Sequence, residues 1–237
     1  MKKILKWFIP LFITVVLAAA FFIYTGIYCR AGTAALSALK SDDTVTVVQT
    51  AYGWLFDGPS ESDALIFYPG GKVEETAYAP LLHRLAAQGM DICLVRMPLR
   101  LAIFGKDKAK DVMAAYNYEN WYIGGHSLGG VMAGNYAAEH PDRIAGVVLL
   151  AAYPTKKMDN SLKVLSIYGS QDGVINMKAM EDAKKLLPEG FTEYVIEGGN
   201  HAQFADYGEQ RTDGKAAVTA EEQIEQTVEQ IIGNKKG

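Results

Sequence analysis

Residues 121–140 read WYIGGHSLGGVMAGNYAAEH, and one hydroxyl among them is placed for chemistry. Ser127 sits at the centre of Gly125-His126-Ser127-Leu128-Gly129, a G-x-S-x-G pattern between an apolar strand-like run and a small-residue helix. That context suits a nucleophile held on a sharp turn. Residues two positions to either side must be small so that strand and helix can approach. Gly125 and Gly129 supply this, with Gly130 in reserve. A helix beginning after Ser127 would aim unpaired backbone N–H groups at the site. The pattern alone is weak, since about one chain in ten of this length carries it by chance. A serine capping a helix would look the same.

A serine hydroxyl needs a base, and the chain has four histidines. His83 lies among Leu81, Leu82 and Leu85, as a packed helical histidine would. His140 precedes Pro141 at a helix end, where a cation suits the helix dipole. His126 adjoins Ser127, so a tight turn aims the two side chains apart and His126 packs beneath it. His201 follows YVIEGGN, a strand running into a loop, and is the candidate base. Asp172, in IYGSQDGVI, falls just past a strand and before His201. It is the candidate carboxylate that fixes the imidazole tautomer. Asp159 is the runner-up acid and Glu197 the next. Acyl transfer also needs donors for an oxyanion. Leu128 N–H is one candidate. The second is expected from the loop after DALIFYPGG, from Gly71 or else Lys72, although a plain Pro-Gly turn reads alike.

The elements that must position these residues alternate. TVTVVQTAYGWLFDGP reads as an opening hairpin. Then DALIFYPGG, MDICLVRMP, NWYIGGHS, IAGVVLLAAYP, KVLSIYGSQDG and TEYVIEGGN read as strands. Helical spacing fills the intervals, and TAEEQIEQTVEQIIG closes the chain as an amphipathic helix. Strands of unbroken Val, Ile and Leu are buried on both faces, as in a parallel sheet covered by helices. The expected architecture is therefore a doubly wound α/β fold. In such folds, sites form beyond the carboxyl ends of the strands. Ser127, Asp172, His201 and the Gly70-Gly71 pair all fall there.

GGHSLGG with Ser127, YGSQDG with Asp172 and EGGNH with His201, in that order, resemble the α/β-hydrolase superfamily over about residues 45–232. The resemblance implies an eight-stranded, mostly parallel sheet with helices on both faces. It also implies a Ser-His-Asp triad above the sheet and no metal or organic cofactor. It is nearest to compact proteins similar to dienelactone hydrolases. That branch often has Cys as nucleophile where this chain has Ser127. The usual His-Gly oxyanion motif is replaced here by Pro69-Gly70. Many family members insert a helical lid before the strand bearing the acid, but here that connection is only YPTKKMDNS. An open site without a lid domain is expected. MPLRLAIFG is unusually apolar for a loop near the site and either lines an acyl pocket or packs on the core. After His201, residues 203–213 crowd polar and aromatic side chains, either shaping the substrate end or forming a structured turn at Asp213-Gly214.

The first thirty residues are a different material. Lys2, Lys3 and Lys6 precede a stretch from Trp7 to Cys29 without charge, and Arg30 follows. As a helix, that stretch would span roughly 30 Å of hydrocarbon. It exceeds a signal-peptide core and no small-x-small cleavage site follows at once. Residues 1–30 are thus expected to be a cytoplasmic basic stub and transmembrane anchor. Residues 31–44 read as a linker and 45–237 as the hydrolase domain. The lysine bias places the domain on the extracytoplasmic side, with secretion after signal cleavage as the alternative. Beyond residue 30, 19 basic residues face 27 acidic ones, about −8, which argues against nucleic acid as a partner. Two cysteines make no disulfide framework, and Cys93 reads as a buried small hydrophobe. The expected activity is cleavage of a carboxylic ester on a small molecule or an exposed acyl group. An acyltransferase on the same triad and a non-catalytic membrane-tethered binding module are the alternatives. Oligomeric state is left open.

Overall fold

Apolar residues alternate across both faces of the central strands, and this alternation builds two cores. In β3 (Asp63–Tyr68), Leu65 and Phe67 enter one core while Ala64, Ile66 and Tyr68 enter the other. A computed structural model of the 237-residue chain describes residues 9, 12–17, 19, 21, 24–59 and 62–236. Around β3 lie β1 (Thr46–Gln49), β2 (Gly53–Asp57), β4 (Asp91–Val95), β5 (Asn120–His126), β6 (Gly146–Leu150), β7 (Lys163–Gly169) and β8 (Thr192–Ile196). They form one eight-stranded sheet in the order β1-β2-β4-β3-β5-β6-β7-β8. β1 and β2 are the expected hairpin and pair antiparallel, as do β2 and β4. Every other pairing is parallel.

Helices cover both faces, because parallel strands require crossovers. On one face pack α2 (Ala79–Ala87) and α6 (Ala220–Lys236) through Leu81, Leu82, Leu85, Ile224 and Ile231. On the other pack α3 (Lys108–Ala115) and α4 (Leu128–Glu139) through Val112, Ala133, Tyr136 and Ala137. α5 (Met177–Ala183) lies between β7 and β8. The chain steps from β3 outward to β4 and then back past β3 to β5, so the winding reverses between β3 and β5. The Gly70-Gly71 loop and Ser127 follow these two strands directly, at the place where doubly wound sheets hold their ligands. Residues 151–162, between β6 and β7, form no helix.

The segment expected as a linker, 31–44, is part of the folded body. α1 (Thr33–Ser37) buries Ala35 completely. Gly32 N–H donates to the Asp206 carbonyl at 2.8 Å, Ala35 N–H to Asp206 Oδ2 at 2.9 Å, and Ala31 N–H to Glu74 Oε2 at 3.0 Å. Such long-range acceptors leave no short-range mark in a sequence, which is why a polar stretch of small residues read as a tether. Much of the expected anchor lies outside the described residues. Of it, residues 12–17, 19, 21 and 24–26 are helical, and Phe12, Ile13, Val15, Leu17 and Phe21 are exposed. No helix among the described residues is long and apolar enough to cross a membrane.

Candidate active site

Only Ser127 separates β5 from α4. Its backbone turns at φ 51°, ψ −125°, a left-handed conformation that a residue with a Cβ adopts only when its surroundings impose it. Ser127 N–H donates to the Leu150 carbonyl at 2.9 Å, and its own carbonyl accepts from Val131 N–H at 3.0 Å. The glycines make the turn possible. A Cβ on Gly125 would lie 2.4 Å from the Tyr68 carbonyl oxygen, and one on Gly129 would lie 2.1 Å from the same atom.

β7 and β8 deliver the other two groups. His201 Nδ1 lies 2.8 Å from Asp172 Oδ2, and both side chains are buried. Asp172 Oδ1 accepts the Val174 and Ile175 amides at 2.9 Å each. A carboxylate so held takes its hydrogen bond from Nδ1–H, which leaves Nε2 as the basic nitrogen. Among the described residues no hydrogen bond joins Ser127 Oγ to His201.

Three features had no short-range sequence signal. Asp213 accepts backbone N–H groups from the loops that carry Asp172 and His201. Its Oδ1 takes Gly173 at 3.0 Å, His201 at 3.2 Å and Gly214 at 2.8 Å, and its Oδ2 takes Ala202 at 2.8 Å. The residue read as a structured turn therefore ties the Asp172 loop to the His201 loop. His126 is buried as expected, yet its ring lies 4.4 Å from that of His201, centroid to centroid. Burial, and then the neighbouring His201, hold its pKa well below the ordinary histidine value. It stays neutral and does not oppose a charge forming on His201. Tyr78, at the end of the 3-10 turn Glu75–Tyr78 just before α2, bridges the site. Its hydroxyl accepts Gly70 N–H at 3.0 Å and is hydrogen-bonded to His126 Nδ1 at 2.8 Å. Burial pushes the phenol's pKa well up, which keeps the hydroxyl protonated.

The two amides proposed for an oxyanion behave differently from their neighbours. Gly71 packs on Leu128; a Cβ there would come 3.0 Å from Leu128 Cδ2. Neither amide has a protein acceptor among the described residues. Lys72 N–H instead donates to the Arg100 carbonyl at 2.8 Å, which removes it as a donor.

The remaining candidates stand apart. Asp159 is exposed and caps its own turn, accepting Ser161 N–H at 2.9 Å. Glu197 is exposed. His83 faces Asp42 at 3.6 Å, and the His140 ring lies tilted against Tyr136, centroids 4.5 Å apart. Cys93 is buried and its thiol pKa is pushed up to about 12 by that burial, as fits an inert core residue. Asp107, Glu139 and His140 could hold a metal ion by spacing alone, but Glu139 already pairs with Lys106 and Lys156.

A doubly wound sheet with a nucleophile-type turn at the β3/β5 reversal defines the α/β-hydrolase class. The model of the alpha/beta hydrolase family matches residues 64–225, and the chain belongs to that family. No curated protein sequence matches it. Among solved structures it is similar to a hydrolase described as CIB-like from Thermoplasma acidophilum, at 15% identity and TM-score 0.59 over 80% of this chain and 99% of that one. A carboxylesterase from Bacillus subtilis aligns at 13% and 0.51 over 70% and 88%. An esterase from Mycobacterium tuberculosis aligns at 14% and 0.57 over 84% and 95%. At these identities the likeness is one of fold.

Proposed function

We propose that this chain is a membrane-anchored serine hydrolase that cleaves a carboxylic ester. The observation that carries the reading is the buried 2.8 Å contact between His201 and Asp172, on loops beside the strained Ser127 turn. In this mechanism Ser127 Oγ attacks the ester carbonyl while His201 Nε2 takes its proton. Asp172 holds the imidazole and stabilises the imidazolium. The Leu128 and Gly71 amides receive the oxyanion of the tetrahedral intermediate. His201 then protonates the departing alcohol, leaving an acyl group on Ser127. Water, deprotonated by the same nitrogen, attacks that acyl-enzyme and releases the acid. Esterases among the structural neighbours fit this choice of substrate class. The charge-free residues 7–29 behind three lysines support the anchor.

The test is fluorophosphonate labelling of the full chain beside Ser127→Ala, read by intact mass, followed by an ester panel of graded acyl length. One adduct on wild type alone is the expected result. Ser127→Ala and His201→Ala are expected to lose turnover by about 10⁴-fold or more. Comparable activity in either variant would remove the triad.

A further inference from the structure

The N-terminal apolar segment meets the folded body beside the oxyanion loop. Cys29 pairs with Val73 in a parallel bridge, donating to the Lys72 carbonyl at 2.8 Å and accepting from Glu74 N–H at 2.8 Å. Gly71, one residue earlier, packs on Leu128. Just before Cys29, the Lys72 ammonium lies 4.0 Å from the Tyr24 ring centroid and bonds to the Tyr24 carbonyl. The Arg100 guanidinium lies 3.5 Å from the Tyr28 ring centroid, with Arg30 on the same ring at 5.5 Å. Arg100 belongs to the apolar loop after β4, which leaves Leu99 38%, Ile103 48% and Phe104 58% exposed. Leu99 and Arg100 are both left-handed, at φ 53° and 56°, so the backbone holds this loop in a shape its residues do not favour alone.

Tyrosines, cations with long apolar stems and unburied aliphatic and aromatic tips are what a membrane–water interface selects. Three cations beside them match anionic headgroups. We infer that the rim formed by Lys72, Arg100, Leu99, Ile103 and Phe104 rests on an anionic bilayer, so that the ester reaches Ser127 from the membrane. This rests on the anchored-hydrolase reading and names where its substrate comes from. The observation that commits the rim to lipid is the place where the apolar segment ends: at Cys29, one strand-bridge from the oxyanion loop. A tether ending there holds the site against the surface from which it emerges.

The test uses the full chain in phosphatidylcholine–phosphatidylglycerol vesicles. A nitroxide is placed at Phe104→Cys, in a Cys29→Ser background, with Glu119→Cys at the opposite end of the sheet as reference. The Phe104 label is expected to collide with dissolved oxygen in preference to a water-soluble nickel chelate, and the Glu119 label to do the reverse. A Phe104 label that prefers the chelate overturns the proposal. So does dipolar broadening between labels, which would put a second copy on the rim. Carbonate extraction of the same vesicles reports on the anchor, and fluorophosphonate labelling reports on Ser127, each independently of the label. A second measurement compares a vesicle-borne acyl ester with soluble p-nitrophenyl acetate. Ile103→Asp combined with Phe104→Asp is expected to lower the ratio of the two rates about tenfold or more. An unchanged ratio overturns the proposal.

Discussion

Asp213 decides how the His201–Asp172 pair is held. A carboxylate that accepts three backbone amides from two loops, and a fourth from its own neighbour Gly214, ties those loops to one another. Asp213→Asn keeps one acceptor oxygen and replaces the other with an amide that faces Ala202 N–H. The orphaned donor costs about 1–3 kcal/mol, and a base displaced by a fraction of an ångström loses rate, not affinity. Asp213→Asn is expected to lower kcat about 10- to 100-fold while KM stays within about twofold. Steady-state kinetics on a soluble ester check this. A rise in KM at constant kcat would place Asp213 in substrate binding instead. The turn at Ser127 and the strand-end positions of Asp172 and His201 were legible because each sits next to a local turn signal. Asp213 was not, because the loop amides it joins, of Gly173, His201 and Ala202, are 11 to 40 residues away in sequence.

At the scale of elements, the β5–α4 turn is where local chemistry and packing meet. The Gly125 and Gly129 spacing is readable as a pattern. The reason for it is the Tyr68 carbonyl of β3, which both glycines must approach. Gly129→Ala would set a methyl 2.1 Å from that oxygen and 2.4 Å from the Pro69 carbonyl, both backbone atoms that cannot rotate aside. It is expected to destabilise by about 1–3 kcal/mol and to displace the start of α4, abolishing Ser127 reactivity. Gly190→Ala, where a Cβ meets nothing within 4 Å, is the control and is expected to stay within about 0.5 kcal/mol. Thermal unfolding and fluorophosphonate labelling read both effects. Lys72 illustrates the opposite case: one residue from Gly71, its amide is committed to the Arg100 carbonyl of a loop that sequence order places far away.

For the whole molecule, the buried His126 links folding to pH. In the native state its imidazole stays neutral because burial disfavours the charge. In the unfolded chain it takes up a proton near pH 6.5. The unfolded state therefore binds more protons in acid, and stability is lost as pH falls below about 6.5, by up to about 1.4 kcal/mol per pH unit. The unfolding free energy of wild type minus that of His126→Gln is expected to shrink over that window and to stay flat above it. Denaturant titrations at pH 8, 6 and 5 check this; a difference independent of pH would mean His126 titrates alike in both states. The N-terminal segment also acts at this scale, since Asp206 and Glu74 bind 31–35 into the body that carries the site.

The sequence by itself determined the alternation of buried strands and helices, the opening hairpin, the turn at Ser127 and the strand ends that carry Asp172 and His201. These follow from apolar periodicity and from glycine and proline punctuation, which act over a few residues. Tertiary structure alone decided that 31–44 folds onto the domain, that Gly71 and not Lys72 keeps an amide without a protein acceptor among the described residues, that Asp213 joins two loops, and that Tyr78 and His126 lie behind His201. Each of those depends on backbone donors and acceptors brought together across the sheet. A free amide or an orphaned carboxylate finds its partner only once the chain has closed on itself.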